Sequence, residues 1–144
     1  MNKPEKAVSS FKDGFSCSQV LLSTFAEENG LDVRTAQKLA SAFGGGIARN
    51  GEMCGAVTGA LMAIGLKHWK PELNIDEAKM HVYNMSNRFM KEFKAKHNSV
   101  NCRELLGCDL STDEGRKKAK AENVAENICE KLVHDASAIL EKIL

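Results

Sequence analysis

The sequence predicts an all-α fold, a single-domain bundle of five to six helices that spans residues 1–144. Apolar residues recur every three to four positions along most of the chain, which is the period of an amphipathic helix. Capping residues precede most of these stripes and glycines follow them, as at helix ends. The chain length suits one domain, and a chain of this size buries about two thirds of its surface on folding.

The N-terminal part of the chain predicts three short helices. The first is an apolar stripe over residues 7–11 that Gly14 ends, and the second stops at Asn29-Gly30. The third opens at Asp32 or Thr35. The second stripe contains Cys17, Val20, Leu21, Thr24 and Phe25. The third contains Val33, Ala36, Leu39, Ala40 and Phe43.

A glycine-rich loop and a buried helix are predicted next. Three consecutive glycines at 44–46 cannot continue a helix cheaply, because each costs about 1 kcal/mol relative to alanine. Residues 52–66 are apolar nearly all round, so a helix here lies at the centre of the bundle. Gly55 and Gly59 give that helix a smooth face that a neighbouring backbone can approach closely.

The C-terminal half predicts a long helix from about Asp76 to Lys96, one helical turn over residues 102–106, and a last helix capped by Ser111 or Thr112. The long helix carries the stripe Ile75, Ala78, Val82, Met85, Phe89 and Phe93. The last helix carries the stripe Ile128, Leu132, Ala136, Ile139 and Ile143.

Composition and charge exclude several functional classes. Twenty basic residues face 19 acidic ones, a balance that argues against nucleic-acid binding. No apolar run approaches the ~20 residues of a membrane span, so no membrane insertion is expected. The start of the chain, residues 1–6, is not followed by an apolar signal core, and a cytoplasmic location is therefore expected.

Five cysteines are the chemically unusual feature of the chain: Cys17, Cys54, Cys102, Cys108 and Cys129. Their odd number and wide spacing do not fit a secreted disulfide scaffold, and no CxxC pair of a zinc ribbon or a thioredoxin is present. Spacing alone therefore leaves core filling, metal ligation and redox chemistry open.

The positions of three cysteines favour reactive thiols. Cys17, Cys54 and Cys102 stand at predicted helix starts, where the helix dipole and free amides lower a thiol pKa and favour the thiolate. Arg49, in the loop before Cys54, adds a positive charge. Thiolates of this kind suit a soft metal, a cluster or attack on a disulfide.

Other candidate sites have weaker signals. The four histidines share no i, i+3 or i, i+4 spacing that would give a two-histidine metal face, so surface or capping roles are expected for His68, His81, His97 and His134. The loop 44–51 lacks the lysine and hydroxyl residue of a P-loop and the GxGxxG of a dinucleotide fold. It is therefore expected to shape the cysteine site rather than to bind a nucleotide.

Five segments together resemble one family. They are Gly14-Phe15-Ser16-Cys17-Ser18-Gln19, Phe43-Gly44-Gly45-Gly46-Ile47, Cys54-Gly55-Ala56-Val57-Thr58-Gly59-Ala60, Cys102-Arg103-Glu104-Leu105-Leu106-Gly107 and Cys129-Glu130-Lys131-Leu132-Val133. The family is the redox-active protein family named for its CGAxxG motif and lone flanking cysteines (C_GCAxxG_C_C). The resemblance covers almost the whole chain, in order.

The resemblance implies that four shared cysteines act together in redox or metal chemistry: Cys17, Cys54, Cys102 and Cys129. Four helices would each bring one thiol to a common point, as in the metal sites of helical bundles. The cofactor-binding glycines would then be Gly44, Gly45, Gly46 and Gly55, which let a backbone or a sulfide approach closely. Cys108 is additional to the family pattern, which leaves a disulfide with Cys102 or a replacement ligand open.

The preferred hypothesis is a redox or electron-transfer protein, either an oxidoreductase or an electron carrier, with an unidentified redox partner. Its four cysteines would hold an iron–sulfur cluster or another soft metal, or would act as redox dithiols without a cofactor. The alternatives are a helical scaffold or oligomerisation module with inert cysteines, and a structural zinc site. The Gly/Ala-rich helix leaves a homodimer open.

Overall fold

The computed structural model describes residues 1–144 and contains eight α-helices without a strand. The helices are α1 (Lys3–Lys12), α2 (Cys17–Thr24), α3 (Val33–Ala40), α4 (Gly55–His68), α5 (Ile75–His97), α6 (Cys102–Leu106), α7 (Asp113–Ala121) and α8 (Glu130–Ile143). Short 3-10 turns occupy Glu27–Asn29 and Ser41–Phe43, and a π-helical turn occupies Ala125–Cys129. The all-α class is confirmed, but the helix count exceeds the five to six predicted.

The count is higher because the predicted turn over residues 102–106 is the helix α6 and the predicted last helix is two helices, α7 and α8. Thr112 caps α7 by accepting a hydrogen bond from the Gly115 amide at 2.9 Å. Asn123 then adopts a left-handed conformation with φ 51°, which ends that helix. The predicted apolar stripe from Ile128 onward lies on the π-helical turn and α8.

Local caps position the helix starts as the sequence indicates. Ser16 and Gln19 form a reciprocal capping box at the start of α2. Asp32, rather than Thr35, is the N-cap of α3 and accepts from the Thr35 amide. Asn74 caps the long helix α5. These caps fix where α2 begins, and α2 begins with Cys17.

The core forms around α4, whose buried face packs closely on α2 and also contacts α5 and α8. A Cβ added at Gly59 would lie 2.6 Å from the Ser18 carbonyl oxygen, so only glycine allows this approach. One hydrophobic cluster of 27 buried residues joins these helices. None of the helices combines the length and the hydropathy needed to cross a membrane.

Candidate functional site

The four cysteines that the sequence singles out line one cavity of about 450 Å³. Cys17 is the first residue of α2, and Cys54 is the N-cap of α4. Cys102 is the first residue of α6, and Cys129 ends the π-helical turn before α8. Four separate segments therefore bring four thiols to the same space.

A short antiparallel backbone pairing holds two of these cysteines together. Residues 52–54 pair with residues 100–102, and in each direction a cysteine amide donates to a carbonyl of the opposite segment at 2.7 Å. Cys54 and Cys102 occupy diagonal positions on one face of this pairing. Diagonal neighbours in such a pairing are roughly 7–8 Å apart, close enough to border a common cavity.

The predicted glycines surround the same cavity and leave no room for side chains. A Cβ on Gly46 would lie 2.6 Å from the Cys102 Cβ, and one on Gly55 would lie 3.1 Å from the Cys17 Cβ. All four predicted cofactor-binding glycines line the cavity: Gly44, Gly45, Gly46 and Gly55. The glycines thus determine how closely the backbone can approach the thiols.

The loop between α3 and α4 contains a left-handed turn that the sequence did not predict. Residues 45–49 all have positive φ, and three of them are not glycine: Ile47 (65°), Ala48 (51°) and Arg49 (67°). This conformation costs about 1–2 kcal/mol for each non-glycine residue. The amides of residues 44–46 donate to no backbone carbonyl, although these residues border the cavity. Strain of this kind clusters at functional sites.

Cys17 and Cys129 affect each other's ionisation. The side-chain interaction between the two thiols raises the pKa of Cys17 well above its ordinary value and lowers the pKa of Cys129. Burial adds to the rise at Cys17 and opposes the fall at Cys129. Both residues are half-buried. Cys129 is therefore the first of the two to ionise.

The other two thiols of the site stay protonated at neutral pH, which corrects the expectation of thiolates at helix starts. Burial raises the pKa of Cys54 to about 11 and that of Cys102 to about 12. The amides of Ala56 and Val57 favour the Cys54 thiolate, but their effect is smaller than that of burial. At Cys102 the neighbouring thiols raise the pKa further. The prediction failed because helix position is local, whereas desolvation depends on the whole fold.

Arg49 is the only charged residue on the cavity wall, and it forms no ion pair within the chain. Its guanidinium supplies the positive charge that the sequence indicated. The remaining wall is largely apolar, and the sequence had not assigned its side chains to the site. They include Phe11, Leu106, Leu110 and Leu132.

Cys108 lies outside this arrangement. It is buried but does not line the cavity, and all five cysteines are free thiols. The Cys102–Cys108 disulfide that the sequence left open is therefore not formed in this structure.

A family model described as "Putative redox-active protein (C_GCAxxG_C_C)" matches residues 15–143. The chain belongs to this family. The matched span includes all four cavity cysteines, and its central motif reads Cys54-Gly55-Ala56-Val57-Thr58-Gly59 in this chain. Neither a curated protein nor a solved structure matches the chain.

The cysteines of this redox-active family member surround the cavity without converging on one point. No group of three or more His, Cys, Asp or Glu residues is arranged to hold a single metal ion. The donor set consists of thiols alone, which is the set that soft metals and iron–sulfur clusters use. A cavity of about 450 Å³ is better matched to a multi-atom group than to one ion.

Two polar contacts outside the cavity were missed because each joins different helices. His68 Nδ1 lies 3.2 Å from His81 Nε2, between α4 and α5. His97 Nε2 lies 3.0 Å from the buried Asp135 carboxylate on α8. Spacing along one helix could not reveal either contact, because the partners are 13 and 38 residues apart in the sequence.

Proposed function

We propose that this member of the redox-active family is a small cysteine-based redox protein whose centre consists of Cys17, Cys54, Cys102 and Cys129. One observation carries the proposal: four separate segments bring four thiols to one cavity, where Cys17 and Cys129 shift each other's pKa. Core filling requires neither a shared cavity nor a thiol pair. A helical scaffold with inert cysteines would explain neither feature.

In the dithiol form of this function, Cys17 and Cys129 are the reacting pair. Loss of two electrons and two protons joins their sulfurs in a disulfide, and a disulfide-type oxidant receives them. The opposite pKa shifts of the two thiols support this choice, since the lowered pKa makes Cys129 the more readily ionised nucleophile of the pair. Cys54 and Cys102, both deeply buried, are less reactive because of their raised pKa values.

A second candidate, an iron–sulfur or other soft-metal cluster in the cavity, is favoured by the cavity walls. Such a cluster would supply one-electron transfer when bound. The four cysteines would hold it, the unpaired amides of residues 44–46 could donate to its sulfurs, and Arg49 would balance negative charge. The absence of side chains on the surrounding glycines leaves space for it. A structural zinc site has less support, since its ligands must converge on one ion.

The proposed compartment is the reducing cytoplasm, and five free thiols support it. No feature of the cavity identifies the electron partner. The homodimer stays a prediction. The Gly/Ala-rich helix that suggested it gives weaker support, because the small residues of α4 pack against α2 of the same chain. For electron transfer, the proposed contact for a partner is the exposed Arg49 on the cavity wall.

The decisive experiment is anaerobic purification followed by absorption spectroscopy, metal analysis and a free-thiol count on one sample. Iron with a visible charge-transfer band establishes the cluster form. Metal-free protein that reversibly loses two thiols on mild oxidation, with Cys17 and Cys129 joined, establishes the dithiol form. Five unreactive thiols without metal would overturn the proposal in both forms.

A serine variant of a cavity cysteine is then compared with a serine variant of an equally buried cysteine outside the cavity. Cys102 and Cys108 are both 6% exposed, but only Cys102 lines the cavity. In the cluster form Cys102→Ser should lower the metal content, whereas Cys108→Ser should leave it as in the wild type. In the dithiol form both variants should still lose two thiols on mild oxidation. Equal loss of metal from the two variants would show that burial, and not membership of the cavity, decides the outcome.

A further inference from the structure

A second cavity of about 410 Å³ adjoins the cysteine cavity. The two share Leu106, Leu110 and Cys129 as walls. Cys129 is thus the only one of the four site cysteines that borders both spaces. The second cavity has no role in the arrangement described so far.

The wall of the second cavity comes from α7, from the irregular segment that follows it, and from the π-helical turn that ends at Cys129. Ala119 and Val124 make much of this wall apolar. Lys120 and Glu126 add one charge of each sign, and neither forms an ion pair within the chain. π-Helical turns are rare and occur frequently at functional sites.

We propose that the second cavity binds a small disulfide-bearing molecule with an apolar body and presents its sulfur to Cys129. This inference rests on the dithiol form of the proposed function and adds its substrate class. The cavity size is within the ordinary range for small-molecule sites, and its mainly apolar wall with a few polar groups is typical of them. A disulfide is the acceptor that a thiol pair can reduce without any further cofactor.

The reaction balances in two exchanges. The Cys129 thiolate attacks one sulfur of the substrate, forms a mixed disulfide and releases the first substrate thiolate, which takes up a proton. Cys17 then gives up its proton and attacks the Cys129 sulfur from the cysteine cavity, releasing the second substrate thiol. The substrate gains two electrons and two protons, and the Cys17–Cys129 disulfide is the oxidised product. The substrate and the resolving thiol thus reach Cys129 from different cavities.

Cavity-filling variants test the route with dithiodipyridine, a neutral aromatic disulfide. Ala125 and Glu126 are exposed residues that line only the second of the two cavities, and Ser41 is an exposed residue that lines only the first. Ala121, at the end of α7, is exposed and lines neither cavity. Each is replaced by tryptophan in the reduced full chain, and acid-quenched samples are mapped by mass spectrometry for the adduct on Cys129.

We expect Ala125→Trp and Glu126→Trp each to slow adduct formation at Cys129 by about tenfold, because exchange rates depend on access to the thiol. Ser41→Trp and the control Ala121→Trp should stay within about twofold of the wild type. Circular dichroism of each variant reports whether the fold is retained. Two cavity-filling variants are used so that the test remains possible if one of them does not fold. Slowing by Ser41→Trp alone, or by none of the variants, would overturn the proposal.

A separate readout distinguishes this inference from the function on which it rests. In the wild type, release of a second pyridinethione should accompany formation of the Cys17–Cys129 disulfide, whereas Cys17→Ser should stop at the mixed disulfide. An adduct that forms on Cys129 at the expected rate but never resolves contradicts the dithiol function and still supports the access route. Adduct formation at the wild-type rate in both cavity-filling variants, followed by normal resolution, contradicts the access route alone.

Discussion

Alanine in place of Gly59 should destabilise the protein, while the same substitution at Gly65 should stabilise it. Both glycines lie inside α4, where alanine is favoured over glycine by about 0.8–1 kcal/mol. A Cβ at Gly65 would meet no atom within 4 Å, so Gly65→Ala should show this whole gain. The pair therefore separates helix propensity from packing within one helix.

At Gly59 the added Cβ would meet backbone that cannot rotate away. It would lie 2.6 Å from the Ser18 carbonyl oxygen and 2.8 Å from the Leu21 Cβ, so α2 must move away from α4. Overpacking of a core costs about 1–3 kcal/mol, and a contact with backbone belongs near the upper end. After subtraction of the helix-propensity gain, Gly59→Ala should lose about 1–2 kcal/mol of unfolding free energy.

Urea unfolding followed by the helical circular dichroism signal measures both variants. A difference of about 2–3 kcal/mol between them separates their midpoints by roughly 1–2 M urea at a typical slope. Since Ser18 follows Cys17, the displaced α2 should also lower the yield of the Cys17–Cys129 disulfide in Gly59→Ala. If Gly59→Ala is as stable as Gly65→Ala, close contact between α2 and α4 is not the reason for glycine at this position.

Three further outcomes follow from the site and its surroundings. The Cys54 thiol ionises near pH 9.0 in the unfolded chain but only near pH 11 in the folded protein, so the unfolded chain binds fewer protons between these values. Cys54 should therefore lower the free energy of unfolding by about 1.4 kcal/mol per pH unit over this range. Urea titrations of the wild type and Cys54→Ala across the same range measure the difference in slope. Gly46→Ala should lower the thermal midpoint more than Gly107→Ala. Both glycines have positive φ (71° and 68°), but only a Cβ at Gly46 would meet another atom, a cysteine Cβ at 2.6 Å. Equal midpoints would show that backbone strain is the whole effect. Asp135→Asn should lower the free energy of unfolding in urea by about 1–3 kcal/mol, because it removes the buried carboxylate charge 3.0 Å from His97 Nε2. An unchanged midpoint would show that this contact contributes nothing to stability.

Features set by neighbouring residues could be predicted from the sequence. The Asp32 cap depends on residues three positions apart, and the burial of most of residues 55–64 follows from an apolar pattern on nearly all sides of one helix. The cavity cysteines were identified by resemblance to the family, whereas their spacing left three interpretations open. Periodicity could not reveal the break at Asn123, because a single left-handed residue leaves little trace in an apolar pattern.

The ionisation of the thiols could not be predicted because it depends on contacts between distant segments. Cys54 stands at a helix start, as expected, but its burial depends on α2 and on the segment around residue 100. The lowered pKa of Cys129 requires Cys17, which is 112 residues away in the sequence. A local argument assigned reactivity to three cysteines at helix starts and omitted the one that the fold favours.

The left-handed loop and the cysteine cavity are mechanically linked. Three non-glycine residues at 47–49 together cost roughly 3–6 kcal/mol in this conformation, so other contacts must hold them there. The amide of Glu52 donates back to the Gly46 carbonyl at 2.9 Å, and the adjoining residues 52–54 pair with 100–102. The same backbone pairing therefore anchors the strained loop and positions Cys54 and Cys102.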